Sequence, residues 1–501
     1  MVNPKGYWPH YPAFTSYTAP PVKSVSPAGA SVQPGIPEQP GGVRAFWQRP
    51  PEAPLLKKEF ISPAGYPLTL FVLPNGHRLM VEQRPSDYMG VRTFVGTGSI
   101  VENPVISSPL YGQTGLPSGI AHLDEHAHFL TTRNYPVKNS LINAINQLGT
   151  YCNASTDSEY IQHKLFFNRE QLPEALRMHA ESVLRPIYNA DDLLQEKDNV
   201  KNEFAFRLGE VNGQLADKFE ELMFDRPDRQ TIGTLRDVEN TTPEDLRRFR
   251  QLAYAPPNLL TIVTGNVSPQ EVLQSLGPEL LSNPVQPSFA NNAHVRLALK
   301  PGEVRTSTVT DPRLNAGYVH LGFPAPAFSN YRERMALELL GRLMMGNEQW
   351  NIGKTLVDEQ RVATNFNFRY VPLRQTGSCK FILETPLGKE QEAATALLKQ
   401  LQTLQHNWIS EEQLAQVRQK VIQANRDIFD QTDASSFILG NEAVNNSLPY
   451  MLEFEKIANL ITPEDIRQVA LKYFDPNRYV VVYGRPPMSA QTPTGGSGGQ
   501  Q

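Results

Sequence analysis

Only two cysteines, Cys152 and Cys379, occur in 501 residues, and they lie far apart along the chain. A disulfide framework therefore does not carry the fold, and a reducing cytoplasm is the expected compartment. No run of 18 or more apolar residues is present, so no helix is expected to span a bilayer. A basic excess is missing too: 47 Lys and Arg stand against 51 Asp and Glu, a net charge of -4. That balance gives no electrostatic case for nucleic acid or an anionic membrane. The N-terminus lacks a basic stretch followed by an apolar one and is poor in arginine, so no targeting segment is expected. Residues 1–52 are Pro-rich and keep no helix or strand period, which predicts a disordered arm. Residues 488–501 end in a Thr-, Gly-, Ser- and Gln-rich stretch that predicts a flexible tail.

What lies between is long enough to need more than one hydrophobic core. An internal repeat divides it. Thr242-Pro243-Glu244-Asp245-Leu246, Pro257-Asn258 and Val263-Thr264-Gly265 are echoed by Thr462-Pro463-Glu464-Asp465-Ile466, Pro476-Asn477 and Val482-Tyr483-Gly484. The letters match at an offset of 220 in the first block and 219 in the others. Each copy reads as a capped helix, a Pro-Asn turn and an apolar strand ending in Gly. Two structurally duplicated halves of alternating helices and strands follow, at residues 53–282 and 302–487, joined by a Pro- and Asn-containing linker at 283–301.

The chemistry is concentrated in His122-Leu123-Asp124-Glu125-His126, a His-x-x-Glu-His run. On a helix the two histidines stand four residues apart on one face, close enough to grip one divalent metal, and the Glu125 carboxylate stands beside them to handle a water. The order reverses the better known His-Glu-x-x-His of zinc hydrolases, which is the inverzincin arrangement. A catalytic zinc needs a third protein ligand and one open position. Candidates stand on the stretch Asp191–Glu210, which reads as a helix with acids at its start. There Glu196, Glu203 and Glu210 repeat every seven residues along one stripe. Without a metal, that stripe would be a solvated acidic face.

These residues, with 76 others between His126 and Glu203, resemble the pitrilysin-type metallopeptidases, the family of insulin-degrading enzyme and mitochondrial processing peptidase. The likeness extends to its compact bacterial two-domain members and covers residues 60–486. Leu73-Pro74-Asn75-Gly76-His77-Arg78-Leu79 resembles the opening hairpin, and Ile232-Gly233-Thr234 and Tyr254-Ala255-Pro256-Pro257-Asn258 resemble two later family positions. Gly149–Thr156 resembles the strand that lies against substrate.

The resemblance implies an α+β fold of two homologous α/β domains forming half of a clamshell. It implies one Zn2+ per chain held by His122, His126 and Glu203, with Glu125 as general base and Glu196 orienting the ligands. A peptide would lie extended along Asn153, Ala154 and Ser155. Hydrolysis of peptides or unfolded segments is the expected activity, and a non-catalytic scaffold subunit that keeps the fold is the rival. The family also uses an Arg and a Tyr, seven residues apart in the second half, to hold the scissile carbonyl. Val357 and Thr364 stand at those two positions. The expected partner is therefore a homologous subunit without zinc that supplies the Arg-Tyr pair.

Overall fold

A computed structural model describes residues 55–102, 107–108, 112–113, 115–224, 231–284, 295–346, 350–407 and 409–487. The expected arm at 1–52, the tail at 488–501 and residues 285–294 of the expected linker lie outside the described residues.

Two large sheets organise the chain. The first contains β1 (Leu56–Ile61), β2 (Pro67–Val72), β3 (Arg78–Gln83), β4 (Tyr88–Val95), β5 (Tyr151–Thr156), β6 (Ile161–Asn168) and β7 (Leu259–Gly265). Their spatial order is β1-β2-β3-β7-β4-β6-β5. The second contains β8 (Val304–Thr310), β9 (Gly317–Pro324), β10 (Asn365–Pro372), β11 (Gly377–Thr385) and β12 (Tyr479–Arg485), in the order β8-β12-β9-β11-β10. In each, the outer member of the repeated unit runs parallel to the late strand, β3 with β7 and β8 with β12, and the other pairings of the unit are antiparallel. The sheets are thus one design used twice, and the first adds the hairpin β1-β2.

Local sequence explains the strands and turns. β7 is Leu-Leu-Thr-Ile-Val-Thr-Gly and buried throughout, as a central strand covered on both faces requires. The β2-β3 turn places Gly76 at φ +91°, and a Cβ there would meet the Pro257 ring at 2.8 Å, so Asn75-Gly76 is demanded by both conformation and space.

Seven helices matter for the site and its frame: α1 (Ile120–Ala127), α2 (Ala190–Gly209), α3 (Val211–Met223), α4 (Pro243–Ala253), α5 (Glu411–Phe429), α6 (Thr432–Val444) and α7 (Pro463–Tyr473). α4 and α7 start with the same capping box. Thr242 and Asp245 cap one and Thr462 and Asp465 the other, each with Pro at the first helical position. α2-α3 and α5-α6 are likewise copies.

The halves exchange helices. α3, from the first half, packs on β12 and β9 of the second sheet, while α6, from the second half, packs on β4 and β7 of the first. Leu260 and Ile262 of β7 join the core beneath α6, and Val480 and Val482 of β12 join the core beneath α3. The strands therefore correspond at an offset of 220, one more than the 219 read from the Val-x-Gly letters. That residue matters because a one-residue slip turns every side chain to the other face.

At matched positions the two interfaces swap knob and hole. Phe94 of β4 fills the space above Gly440 of α6, and Phe219 of α3 fills the space above Gly322 of β9, where a Cβ would lie 2.6 Å from the Phe219 Cζ. Each phenylalanine needs a glycine opposite it. The size complementarity ties the halves into one unit.

Candidate metal centre

α1 is placed by its own ends. Gly119, its N-cap at φ +86°, sits so close to Gly233 that a Cβ would strike the Ile232 carbonyl at 2.5 Å. The Glu102 carboxylate accepts from the Gly119 and Ala121 amides at 2.8 and 2.9 Å, satisfying donors that a helix N-terminus leaves free.

From α1, His122 and His126 present their imidazoles edge to face, with ring centroids 4.7 Å apart. α2 runs past them. Asn189 caps it by accepting from the Asp192 amide at 2.9 Å, and its side chains Glu196 and Glu203 point at the histidines. Glu203 Oε2 lies 3.4 Å from His122 Nε2 and 3.5 Å from His126 Nε2. Together the three residues bring one ligand atom each within 4.8 Å of one another. Zinc bonded to nitrogen and oxygen at about 2.0–2.1 Å in a tetrahedral shell keeps its ligand atoms about 3.4 Å apart, so this donor set fits that ion. Glu210, the third member of the acidic stripe, stands beyond the end of α2, exposed and outside the cluster.

Electrostatics agree with a cation here. Burial lowers the His122 pKa to about 3, leaving a neutral imidazole fit to be a ligand. Burial would also lower His126, but hydrogen bonds to Glu196 and Glu203 outweigh it and raise the group to about 10. Conversely, those bonds hold both carboxylates below their ordinary value despite burial. The pocket stabilises positive charge at His126.

Glu196 meets His126 from the other side, its Oε2 3.3 Å from Nδ1, and accepts from Asn199 Nδ2 at 2.9 Å. Glu125 meets β5. Burial pushes its carboxyl up to about 7, while Thr156 donates to its Oε2 at 2.7 Å. β5 forms the free edge of its sheet among the described residues. On it Asn153 is exposed and Ala154 and Ser155 are half-buried. Asn153 bonds the Tyr151 hydroxyl at 2.9 Å, and Ser155 accepts from Gln162 at 2.7 Å. The strand therefore leads, through Thr156, directly to Glu125.

One set of residues behind the motif was not legible in the sequence. Asp124, fully buried, accepts from Arg250 Nη1 at 3.2 and 3.1 Å, from the Tyr254 hydroxyl at 2.7 Å, and from the Tyr188 hydroxyl. Arg250 and Tyr254 come from α4 and its C-cap, so the back of α1 is bolted to the repeated helix. The only signal was a charged residue between Leu123 and Glu125. Further back, His163 Nδ1 lies 3.0 Å from His128 Nε2, and His128 Nδ1 lies 2.5 Å from the Glu125 carbonyl.

In the second half, His320 is the only histidine from Asn315 to Pro386 and has no metal partner among the described residues. Val357 packs partly buried against the larger core, and the Thr364 amide donates to the Glu384 carbonyl at 2.7 Å. Arg369 and Tyr370 face opposite ways along β10: the Tyr370 hydroxyl donates inward to the Pro326 carbonyl at 2.8 Å.

A duplicated α/β fold with a His-x-x-Glu-His helix and a carboxylate helix crossing it defines an inverzincin metallopeptidase scaffold. Residues 79–219 match the description "Insulinase (Peptidase family M16)", and residues 240–421 match "Peptidase M16 inactive domain". The chain belongs to this pitrilysin-type family. It is 25% identical to the "Zinc protease PqqE" of Helicobacter pylori over 407 residues, 76% of this chain and 90% of that one. It is 22% identical to the "Mitochondrial-processing peptidase subunit beta" of Dictyostelium discoideum over 249 residues, 48% of this chain and 46% of that one. The crystal structure of a protease from Helicobacter pylori superposes with a TM-score of 0.74 at 21% identity, covering 86% of this chain and 100% of that chain. No helix among the described residues is long and apolar enough to cross a membrane.

Proposed function

We propose that the chain is a zinc-dependent endopeptidase acting on peptides or unfolded polypeptide segments, and that it is the metal-bearing member of a two-chain enzyme. The observation that carries this is the convergence of His122, His126 and Glu203 at ligand spacing, with a separate carboxylate, Glu125, beside them. A scaffold subunit has no need of that set.

Zinc bound at the three residues would supply a polarised water and an electrophile for the peptide carbonyl. The protein does the rest. Glu125, pushed up to about 7, can take a proton from water at neutral pH and return it to the leaving amine, and Thr156 fixes which carboxylate oxygen faces the strand. Glu196 holds the ring plane of His126 through Nδ1. The free edge of β5 at Asn153, Ala154 and Ser155 offers backbone groups to an extended substrate, with little demand on its sequence. In place of the Arg and Tyr, Val357 has no side-chain donor and Thr364 only a short hydroxyl with no positive charge, which supports a homologous partner chain supplying that pair. The two unpaired cysteines support a cytoplasmic setting.

The test is cleavage of a quenched-fluorescent peptide by full-length wild type and Glu125→Gln, each with zinc and with or without a homologous chain bearing the Arg-Tyr pair. Wild type should cleave slowly alone and fast with the partner, and Glu125→Gln should not cleave in either setting. Equal cleavage by both forms would remove Glu125 from the chemistry, and full activity from wild type alone would remove the partner.

A further inference from the structure

Three basic side chains share one face of the second sheet. Lys380 on β11 stands directly opposite Gly322 on β9 and Arg369 on β10, and His320 lies two residues from Gly322. This is the face under α3, where Phe219 covers Gly322 and the Lys380 ammonium lies 4.8 Å from the Phe219 centroid. Two cations directly across a strand pair repel each other. Among the described residues, neither the Lys380 nor the Arg369 side chain makes a hydrogen bond or ion pair. His320 is 2% exposed, and both of its ring nitrogens lack a partner. A buried polar ring with nothing to bond is costly, unless a ligand completes it.

The duplicate half shows what completes such a face. Arg92 of β4 occupies the place of His320, since it pairs with Ile262 of β7 as His320 pairs with Val482 of β12. There α6 delivers Asp433, which ion-pairs Arg92 and, at 3.1 Å, Lys164, while Gln162 and Ser436 take the remaining Arg92 donors. α3 brings Asn212 to the position of Asp433, and Asn212 is exposed. The acids of α3 that reach Lys380 through space are Glu220 and Asp217, and Asp217 is ion-paired with Arg207. The position that holds the Asp433 carboxylate in one half holds an amide in the other, and neither Glu220 nor Asp217 makes an ion pair with Lys380.

We infer that His320, Lys380 and Arg369 form a subsite for a carboxylate of the polypeptide substrate, an acidic side chain or the C-terminus, in the place that Asp433 fills in the first half. The identity of the ligand rests on the peptidase reading above. Access is from the outer edge of β10, which has no strand partner among the described residues and carries the half-buried Arg369. Arg207, one turn beyond Glu203 on α2, pairs with Asp217 of α3, the helix that covers this face.

The experiment uses the full-length Glu125→Gln chain with zinc and a ten-residue peptide carrying an uncharged fluorophore, read by anisotropy. One pair of peptides differs by Glu or Gln at a central position with an amidated end, and a second pair differs by a free or amidated C-terminus with Gln at the centre. At least one acid form should bind about tenfold or more tighter than its neutral counterpart, the strength of a charge-assisted contact. The pair that shows this identifies the source of the carboxylate. In Arg369→Gln the ratio should fall to about one, and Arg369→Lys should keep part of it. Lys380→Gln provides a second variant read the same way. Equal binding of acid and neutral forms, or a ratio unchanged by both neutral substitutions, overturns the inference. Selective binding without cleavage by wild type would leave the subsite standing and sink the peptidase reading. Cleavage without selectivity would do the reverse.

Discussion

Glu196 and His126 meet at 3.3 Å on the Nδ1 side of the imidazole, opposite the Nε2 that faces Glu203. A carboxylate there fixes the tautomer in which Nε2 is free to be a ligand, and raises its basicity. Glu196→Ala should therefore weaken zinc binding by about ten to a hundredfold, the usual effect of a residue that orients a metal-bound histidine. Competition with a chelating dye measures it directly. Affinity equal to wild type would make Glu196 a structural charge on α2.

The Phe94-Gly440 contact makes a prediction whose sign depends on its neighbour. Alanine at a mid-helix glycine ordinarily gains about 1 kcal/mol. At Gly440 the added Cβ would collide with the Phe94 ring, so Gly440→Ala should instead lose about 1–3 kcal/mol, as overpacked cores do. In a Phe94→Ala background the same change should become stabilising. Urea midpoints of the four chains decide the matter. A stabilising Gly440→Ala in the wild-type background would mean that the halves do not interlock as described.

Acid should destabilise the protein through its buried histidines, which include His122, His128, His163 and His320 as well as the connected pair His77 and His179. His77 Nε2 lies 2.9 Å from the Thr261 hydroxyl, Thr261 lies 2.8 Å from Thr93, and Thr93 lies 2.8 Å from His179 Nε2, a buried run beneath the first sheet. Burial first, then neighbouring charges (Arg78 and His179 on His77, Arg92 on His179), lowers each from 6.5 to about 3. The unfolded chain thus binds more protons between those values, and stability falls as pH drops from 6.5 toward 3, by about 1.4 kcal/mol per unit for each histidine. Stability from denaturant unfolding of metal-stripped protein between pH 7 and 5 should show at least this slope, and His179→Gln should lessen it by about 1.4 kcal/mol per unit. A slope unaltered in His179→Gln would place the acid sensitivity elsewhere.

How far the sequence reached depended on whether a feature was local. His122 and His126 were legible because helical periodicity puts residues four apart on one face, whereas Glu203 and Glu196 were singled out from a stripe that also holds Glu210 only by the family resemblance. The duplication was legible in the paired Thr-Pro-Glu-Asp caps. The strand offset was misread by one residue because Val-x-Gly letters carry no information about which face is buried. Asp124 could not be assigned, since its partners Tyr188, Arg250 and Tyr254 come from distant segments. Nor could the exchange of α3 and α6 be foreseen, because the glycines that admit Phe94 and Phe219 have meaning only across the interface. His320 was visible as a lone histidine in an apolar strand, but its missing partners appear only once the second sheet is set beside the first.

The central claim is that His122, His126 and Glu203 hold one zinc ion. Metal analysis of full-length wild type and Glu203→Gln, purified side by side and matched in unfolding midpoint after metal stripping, tests it most directly. Wild type should carry close to one zinc per chain after reconstitution and dialysis, and Glu203→Gln close to none. Equal zinc in the two proteins, or none in wild type, would contradict the account.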